Sequence, residues 1–308
     1  MRRRRLLLAL SVVGLGLIEL ALHFHFSRAA PDAEAWRALE PAVEKSCRPD
    51  TLIVVAPEWA EPNARFAFGD NLMPLAHVAR ADASRFEAAL EISILGQHSP
   101  ELAAWKLLSE ERHGAFLLRR LSNPRVEPVR YDFVAQLSPP HATVSVSRQD
   151  ASDDCRFVTN AKVENGDLHG HPTFPKHRFV CPGEGNWLFA GVTVIEDQHY
   201  RPRQCIWAHP AKKGALTLRF DAVPLGSKIR GYGALPYWLE RDSKGSAVEL
   251  SVKVGGETVG IFSHRDGEGW KPFEFDTTRF SGQTAAVTFE VRSKRTARRE
   301  FCFQADVR

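Results

Sequence analysis

The chain has 308 residues and a formal net charge of +4, which comes from 41 basic and 37 acidic side chains. Four of the basic residues are Arg2 to Arg5, and without them the remainder has 37 basic and 37 acidic side chains. Nucleic-acid-binding proteins concentrate positive charge to contact phosphates. The even balance therefore excludes nucleic acid as an expected partner.

The N-terminus has the pattern of a membrane-targeting segment. Arg2 to Arg5 precede an apolar run from Leu6 to Ile18, and Leu20 to Phe26 follows after Glu19. Cationic residues stay in the cytoplasm while an apolar run enters the bilayer. Residues 1–28 are therefore predicted to be a single-pass signal anchor. The N-terminus would be cytoplasmic and the bulk of the chain extracytoplasmic, in a bacterial periplasm or at the cell surface.

A cleaved signal peptide is the alternative to a retained anchor. Small residues at Ser27, Ala29 and Ala30 suit a cleavage site, but the uninterrupted apolar core ends far upstream, at Ile18. A retained anchor is therefore favoured. Residues 29–44 are predicted to be a linker or short amphipathic helix leaving the membrane.

Five cysteines fit export to an oxidising compartment. They are spaced without a Cys-x-x-Cys pair, so neither a zinc knuckle nor a thioredoxin-type redox site is indicated. Cys155 and Cys181 flank an excursion rich in Gly, Asn and Pro, and Cys205 and Cys302 lie near the two ends of a β-rich segment. These two pairs are the predicted disulfides. Cys47 is the odd cysteine, for which burial is favoured over a free exposed thiol or a disulfide with another chain.

Residues 45–204 are predicted to form a strand-rich α+β domain of a family that the motifs do not identify. Thr51 to Ala56 is typical of a buried strand, and Glu91 to Leu95 alternates like a strand. Ser84 to Leu90 and Pro100 to Glu111 are predicted helices, the second with Ser99 as N-cap. Later strands are predicted at Tyr131 to Leu137, Ala142 to Val146, Arg156 to Val158, Arg178 to Val180 and Trp187 to Ile195.

Residues 205–308 have the clearest strand pattern. Alternating apolar residues occur in five runs, and the breaks between the runs carry turn residues, as at Gly255 with Gly256. The pattern predicts an antiparallel β-sandwich. The runs are Leu216 to Phe220, Val248 to Val254, Phe273 to Phe275, Val287 to Val291 and Phe301 to Phe303. The fold class expected for the chain is therefore mainly β.

The stretch from Leu216 to Arg308 resembles a galactose-binding-type jelly roll, the β-sandwich of many carbohydrate-binding modules. The likeness is carried by residues 266–291, where Trp270 precedes Phe273 and Phe275 and Gly282 precedes a late core strand. The resemblance implies non-catalytic binding through loops at one end or through a sheet face. No cofactor is expected.

An aromatic set in this region is the candidate ligand site. Sugar rings present apolar faces that stack on aromatic planes, while polar neighbours bind the hydroxyls. Packing within the sandwich is the alternative role for these side chains. The candidates are Tyr232, Tyr237, Trp238, Glu240, Arg241 and Trp270.

Two further clusters could support catalysis. Glu58, Glu61 and Asp70 follow the first strand, where α/β-type sites collect, and two carboxylates can serve as general acid and base. His169 and His171 could share a metal ion if they lay on one strand face. A loop held by an Arg65 to carboxylate pair and a solvated turn are the respective structural alternatives.

Two functional classes follow. The favoured one is a membrane-anchored extracytoplasmic binding or accessory protein whose partner is an envelope glycan or a membrane protein. The alternative is an extracytoplasmic hydrolase or transferase that uses the acidic residues at 58–70 or the histidine pair. No catalytic residue, metal or cofactor is assigned in the favoured class.

Overall fold

The computed structural model describes residues 11–22, 30–48, 50–148, 151–162, 174–183, 185, 187–242 and 245–308. The predicted anchor at residues 1–28 lies partly outside this range. Residues 11–22 are helical. Within the described part of the chain, no helix combines the length and the apolar character that crossing a bilayer requires.

The chain divides into two compact units that alternate along the sequence. The first unit contains Met1–His77 and Phe86–Val126, and the second contains Val78–Arg85 and Glu127–Arg308. The boundary predicted at residue 205 falls inside the second unit, since a strand at residues 142–148 pairs with one at residues 215–224.

The first unit contains a four-stranded sheet with the order β1-β2-β4-β3, in which β1 and β2 are parallel. Two short 3-10 turns, Glu58–Ala60 and Pro100–Leu102, join its elements. The elements are α1 (Ala33–Ser46), β1 (Leu52–Ala56), α2 (Glu61–Leu72), α3 (Leu75–Val78), β2 (Ala88–Ser93), β3 (Lys106–His113) and β4 (Phe116–Ser122).

Helix α1 is part of the core of the first unit, and it corresponds to the amphipathic helix that was one of the two alternatives for residues 29–44. Asp32 caps the helix by accepting a hydrogen bond from the Ala35 amide at 2.8 Å. The Trp36 ring packs edge-on against Phe68 and Phe116, with ring centroids 6.0 and 4.7 Å away. Burial of this apolar face stabilises the helix against the sheet.

The prediction of a buried first strand is confirmed, but both helices predicted in this unit were wrong. Residues 84–90 form a turn and the start of β2, and Pro100 to Glu111 becomes a short turn followed by β3. Strand β3 is the exposed edge of the sheet, where charged side chains are common. Backbone pairing with β4 along the whole strand overrides local helix propensity, and Glu110 additionally pairs with Arg119 at 3.3 Å.

The second unit is an antiparallel β-sandwich of two sheets. One has the order β16-β13-β18-β11-β10-β9-β8, with β5 pairing β18, and the other has the order β15-β14-β17-β12-β6-β7. The elements are β5 (Tyr131–Asp132), β6 (Ala142–Arg148), β7 (Ala151–Asp154), β8 (Arg156–Val158), β9 (Arg178–Val180), β10 (Phe189–Glu196), β11 (Pro202–Ala208), β12 (Ala215–Pro224), β13 (Lys228–Ala234), α4 (Tyr237–Glu240), β14 (Val248–Val254), β15 (Glu257–His264), β16 (Lys271–Asp276), β17 (Thr284–Ser293) and β18 (Cys302–Val307).

The alternating residues predicted from the sequence line the space between these sheets. Leu218 and Phe289 of the smaller sheet are fully buried, as are Ile229 and Phe303 of the larger sheet. The rings of Phe289 and Phe303 meet across the core at 5.1 Å. The prediction of a mainly β chain is confirmed.

The two predicted disulfides are confirmed. Cys155 bonds to Cys181, and Cys205 bonds to Cys302 on the face of the larger sheet that points away from the smaller one. Cys47 is free but only half-buried. Burial raises the pKa of its thiol to about 11, although the charge of Arg120 opposes that shift.

Candidate functional site

The predicted ligand residues fall into two separate groups in the second unit. Tyr232 and Trp270 lie on the outer face of the larger sheet, meaning the face turned away from the smaller sheet. The others lie in or next to the short helix α4; Glu240 is buried there, and the remaining three belong to a group that we call the aromatic platform. The platform consists of Tyr200, Tyr237, Trp238, Arg241 and Arg298.

Tyr232 and Trp270 form a stacked pair that is used internally. Their ring centroids lie 5.6 Å apart with an interplanar angle of 3°. The Tyr232 hydroxyl donates to Asp82 Oδ2 at 2.7 Å and accepts from Arg230 Nη2 at 3.0 Å. Burial and the nearby Asp82 carboxylate disfavour the phenolate and raise the pKa of Tyr232 to about 12.

The partner of this pair is the segment Val78–Arg85, which runs along the outer face. Ala79 O accepts from the Gln204 amide at 2.8 Å, and Arg80 O accepts from Arg203 Nη1 at 2.7 Å. Asp82 contacts Arg230 at 2.9 Å. The Tyr232 hydroxyl thus serves to hold the segment, and the ligand contact predicted for Tyr232 and Trp270 stays a prediction.

Asp82 is an ionised anchor within this arrangement. Burial alone would raise the pKa of its carboxyl group, but hydrogen bonds from Ser84 and Tyr232 and the charge of Arg230 lower it below its ordinary value. Glu127 completes the network, lying 2.8 Å from Arg230 Nη1 and 3.1 Å from Arg308 Nη1. The carboxylates and guanidinium groups of this network satisfy one another.

The aromatic platform is the exposed alternative. The rings of Tyr200 and Tyr237 lie 4.9 Å apart and are tilted by 53°. The guanidinium of Arg241 lies 5.3 Å from the centre of one ring and 5.4 Å from the centre of the other. Tyr200 is 56 % exposed, Arg241 is exposed and Tyr237 is half-buried. Sequence reasoning identified Tyr237 and Arg241 and missed Tyr200.

Tyr200 is held by a turn that Asp197 organises. The Asp197 carboxylate accepts from the amides of His199 at 2.8 Å and Arg201 at 3.1 Å, and its carbonyl accepts from the Tyr200 amide at 2.9 Å. Tyr200 has a φ of +60°, a conformation that favours glycine or asparagine. An exposed aromatic side chain thus occupies a strained position where it contributes little burial.

Trp238 and Arg298 extend the platform on the other side of α4. The Arg298 guanidinium lies 5.7 Å from the centre of the Trp238 ring and pairs with Asp242 at 2.7 Å. Like Tyr200, Arg298 is an exposed residue with a positive φ, here +59°. Two strained and exposed residues therefore contact the same four-residue helix.

Glu240 supports the platform from below and is not available to a ligand, which corrects the role expected for it. Its side chain is 2 % exposed. One carboxylate oxygen accepts from the Leu235 amide at 2.9 Å and lies 2.7 Å from His264 Nε2. The other accepts from the amides of Gly267 at 2.8 Å and Gly269 at 3.2 Å. Glu240 thereby fixes α4 to the loop at residues 265–269.

The acidic residues of the enzymatic alternative lie on helical surface in the first unit. Glu58 is exposed in a 3-10 turn, and Glu61 begins α2. The Asp70 side chain is 77 % exposed and pairs with Arg65 at 2.7 Å. The Arg65 to carboxylate pair of the structural alternative is therefore present, but it lies on a helix and not in a loop.

The histidine pair of the metal hypothesis, His169 and His171, lies outside the described residues. Within the part of the chain that is described, no group of three histidine, cysteine or carboxylate side chains is arranged to hold a metal ion. A cavity of about 460 Å³ in the second unit is lined by other residues, among them Leu137, Phe157 and His177. None of the predicted site residues within the described ranges lines it.

Comparisons with known proteins give weak structural neighbours only. No family model matches the sequence, and no curated protein matches it. The structure of the CBM51-2 and INT domains of Clostridium perfringens ZmpB is similar over 54 % of this chain, with 9 % identity and a TM-score of 0.27. This chain spans 37 % of that structure. The CBM36-1 domain of a multidomain xylanase from the hindgut metagenome of Trinervitermes trinervoides aligns with 34 % of this chain and 75 % of its own length, at 14 % identity and a TM-score of 0.18. Similarity at this level establishes neither a common fold nor a common function.

Proposed function

We propose that this protein is a non-catalytic carbohydrate-binding protein of the cell envelope, with the aromatic platform as its binding surface. The observation that carries the proposal is the contact of exposed Tyr200 with Tyr237 beneath the guanidinium of Arg241. This arrangement combines exposed aromatic planes with polar donors on one small surface.

The chemistry of the platform suits a sugar. A pyranose ring has an apolar face that can lie on an aromatic plane, and Tyr200 offers such a plane to solvent. The guanidinium edge of Arg241 and the Tyr200 hydroxyl are donors for ring hydroxyls. Glu240 preorganises the surface because it fixes α4 before any ligand arrives.

The proposed location is extracytoplasmic, with the chain tethered by its N-terminal segment. The arginine-led apolar run supports this placement, because that pattern is typical of a signal anchor. Two disulfides support it independently, since disulfides persist mainly in oxidising compartments. A β-sandwich of the carbohydrate-binding-module type would then present its loops to envelope glycans.

A glycan array probed with the full chain tests the proposal. The protein would be held in a polyoxyethylene detergent, because a detergent with a sugar headgroup would compete for the site. We expect binding to a subset of bacterial envelope glycans, and we expect a double variant, Tyr200→Ala with Tyr237→Ala, to lose it.

The matched control is Trp59→Ala. Trp59 is an aromatic residue with 58 % exposure, close to that of Tyr200, but it lies in the first unit. The control variant should bind like the unmodified chain. Absence of binding to every envelope glycan, or full binding by the double variant, would refute the proposed function. Release of cleaved sugar from any bound glycan would favour the hydrolase alternative.

A further inference from the structure

We infer that the aromatic platform selects acidic sugars, and that Arg241 binds the sugar carboxylate while Tyr200 stacks on the ring. This inference rests on the proposed function and adds the chemical class of the ligand. It is carried by the unequal pairing of the charged groups around α4.

The negative side chains beside the platform are already neutralised. Asp242 pairs with Arg298 at 2.7 Å, and Asp197 pairs with Arg203 at 2.9 Å. Glu240 is buried, and its carboxylate is occupied by backbone amides and His264. The surface therefore carries no exposed carboxylate from these residues to repel an anion.

Arg241 is the platform cation that has no carboxylate partner among the described residues. Its contacts in the described part of the chain are with the rings of Tyr200 and Tyr237, and no carboxylate there lies within ion-pair distance of it. A guanidinium that packs on aromatic rings uses its flat face and keeps the N–H groups of its edge available. That edge matches the two oxygens of a carboxylate and can donate two parallel hydrogen bonds.

The two recognition elements are neighbours on one small surface. The Arg241 guanidinium carbon lies 5.3 Å from the centre of the Tyr200 ring. A pyranose ring packed against the exposed part of Tyr200 would lie next to Arg241, whose N–H edge could bind a carboxylate of the sugar. A neutral sugar would make the stacking contact but would leave the cation without a partner.

The strain at Tyr200 is consistent with a role in binding. A positive φ at a residue other than glycine costs about 1 kcal/mol. Exposed strained positions of this kind are more common at ligand-binding surfaces than at random surface sites. Replacement by glycine would relieve the strain, and the chain instead places an aromatic plane beside the unpaired arginine.

The test uses the full chain on an array in which each acidic envelope glycan is printed beside its carboxyl-reduced form. The acidic set includes uronic acid, muramic acid and sialic acid residues. Polyglutamate of similar charge is printed as an acidic polymer without sugar. We expect the acidic glycans to bind roughly 10-fold or more tightly than their reduced partners, as a charge-assisted hydrogen bond provides.

Variants then locate the selectivity. Arg241→Gln should abolish the difference in affinity between acidic and reduced glycans. Arg241→Lys should keep part of that difference, because lysine retains the charge but lacks the paired N–H donors of the guanidinium. The matched control is Arg292→Gln, whose side chain is 51 % exposed on the smaller sheet. Far-ultraviolet circular dichroism would verify that each variant is folded.

Each outcome decides between the two levels of the proposal. Equal binding of acidic and reduced glycans overturns the acidic-sugar inference and leaves carbohydrate binding intact. Equal binding of polyglutamate overturns it as well, because charge alone would then suffice. Binding to no glycan overturns both, and selectivity that survives Arg241→Gln overturns the assignment to Arg241.

Discussion

The Tyr232 hydroxyl donates to Asp82 Oδ2 at 2.7 Å, joining two residues that lie 150 positions apart in the chain. This bond links a strand of the larger sheet to the segment that covers the outer face of the sheet. Strands β2, β3 and β4 of the first unit lie between these two residues in the sequence.

Tyr232→Phe should destabilise the protein by about 1 to 3 kcal/mol, because Asp82 and Arg230 each lose a hydrogen-bond partner in a partly buried place. Urea unfolding of the full chain measures the change. Tyr237→Phe is the control, since the Tyr237 hydroxyl makes no hydrogen bond in the described part of the chain. Equal effects of the two substitutions would contradict the role given to the Asp82 contact.

Glu240→Gln should cost about 2 to 5 kcal/mol of stability, although the side chain keeps its size. An amide nitrogen would replace one carboxylate oxygen and face backbone N–H groups that need an acceptor. Differential scanning calorimetry should show a lower Tm. Glu257→Gln, at a side chain 56 % exposed, is the control and should leave the Tm unchanged. A neutral result at residue 240 would mean that Glu240 does not fix α4.

Acid should destabilise the second unit through His209. Burial lowers the pKa of this imidazole to about 4, with a smaller contribution from the charge of Arg299, while a hydrogen bond to the Pro210 carbonyl opposes the shift. The unfolded chain binds a proton near pH 6.5, whereas the folded chain does so only near pH 4. The stability is therefore present above pH 6.5 and is lost as the pH falls towards 4, by about 3 kcal/mol.

The measurement is the free energy of unfolding between pH 4 and pH 7. His209→Gln removes the titrating group and should flatten the curve over this interval. His141→Gln, at an exposed position, should retain the slope of the unmodified chain. An unchanged slope in the His209 variant would show that other groups dominate the acid response.

Removal of the Cys205–Cys302 disulfide should cost more than removal of the Cys155–Cys181 disulfide. The bonds close loops with sequence separations of 97 and 26 residues. On the chain-entropy relation these correspond to about 4.7 and about 3.5 kcal/mol. Guanidinium unfolding of the two double-alanine variants compares them directly. A larger loss from the shorter loop would indicate that packing around the sulfur atoms outweighs loop entropy.

The features predicted well from the sequence are those encoded by local alternation. Val248 to Val254 alternates because one face of β14 meets the core, and a period of two residues suffices to show it. The two disulfide pairs were also accessible, since their positions flank the segments that they close. Both features can be recognised from residues that lie within one segment or at its two ends.

The features missed depend on partners far away in the chain. Residues 106–113 have good helix formers, yet they become an edge strand because β4 offers a row of hydrogen-bonding groups. Tyr200 lies in a turn whose exposure and positive φ cannot be recognised from its neighbours. Glu240 looked like a ligand contact because its sequence neighbours are aromatic, and only the fold brings Gly267 and Gly269 to its carboxylate.

The path of the backbone through the two units has a practical consequence for dissecting the protein. The chain enters the second unit at residue 78, returns to the first at residue 86 and leaves it again at residue 127. No single cleavage point yields both halves intact. A fragment beginning at Glu127 would retain every strand of the sandwich but would lack Asp82. The Tyr232 hydroxyl would then have no acceptor, and Arg230 would keep only Glu127 as a carboxylate partner. Reconstitution of that fragment with a synthetic peptide of residues 78–85 would show how much of the stability of the sandwich depends on this segment.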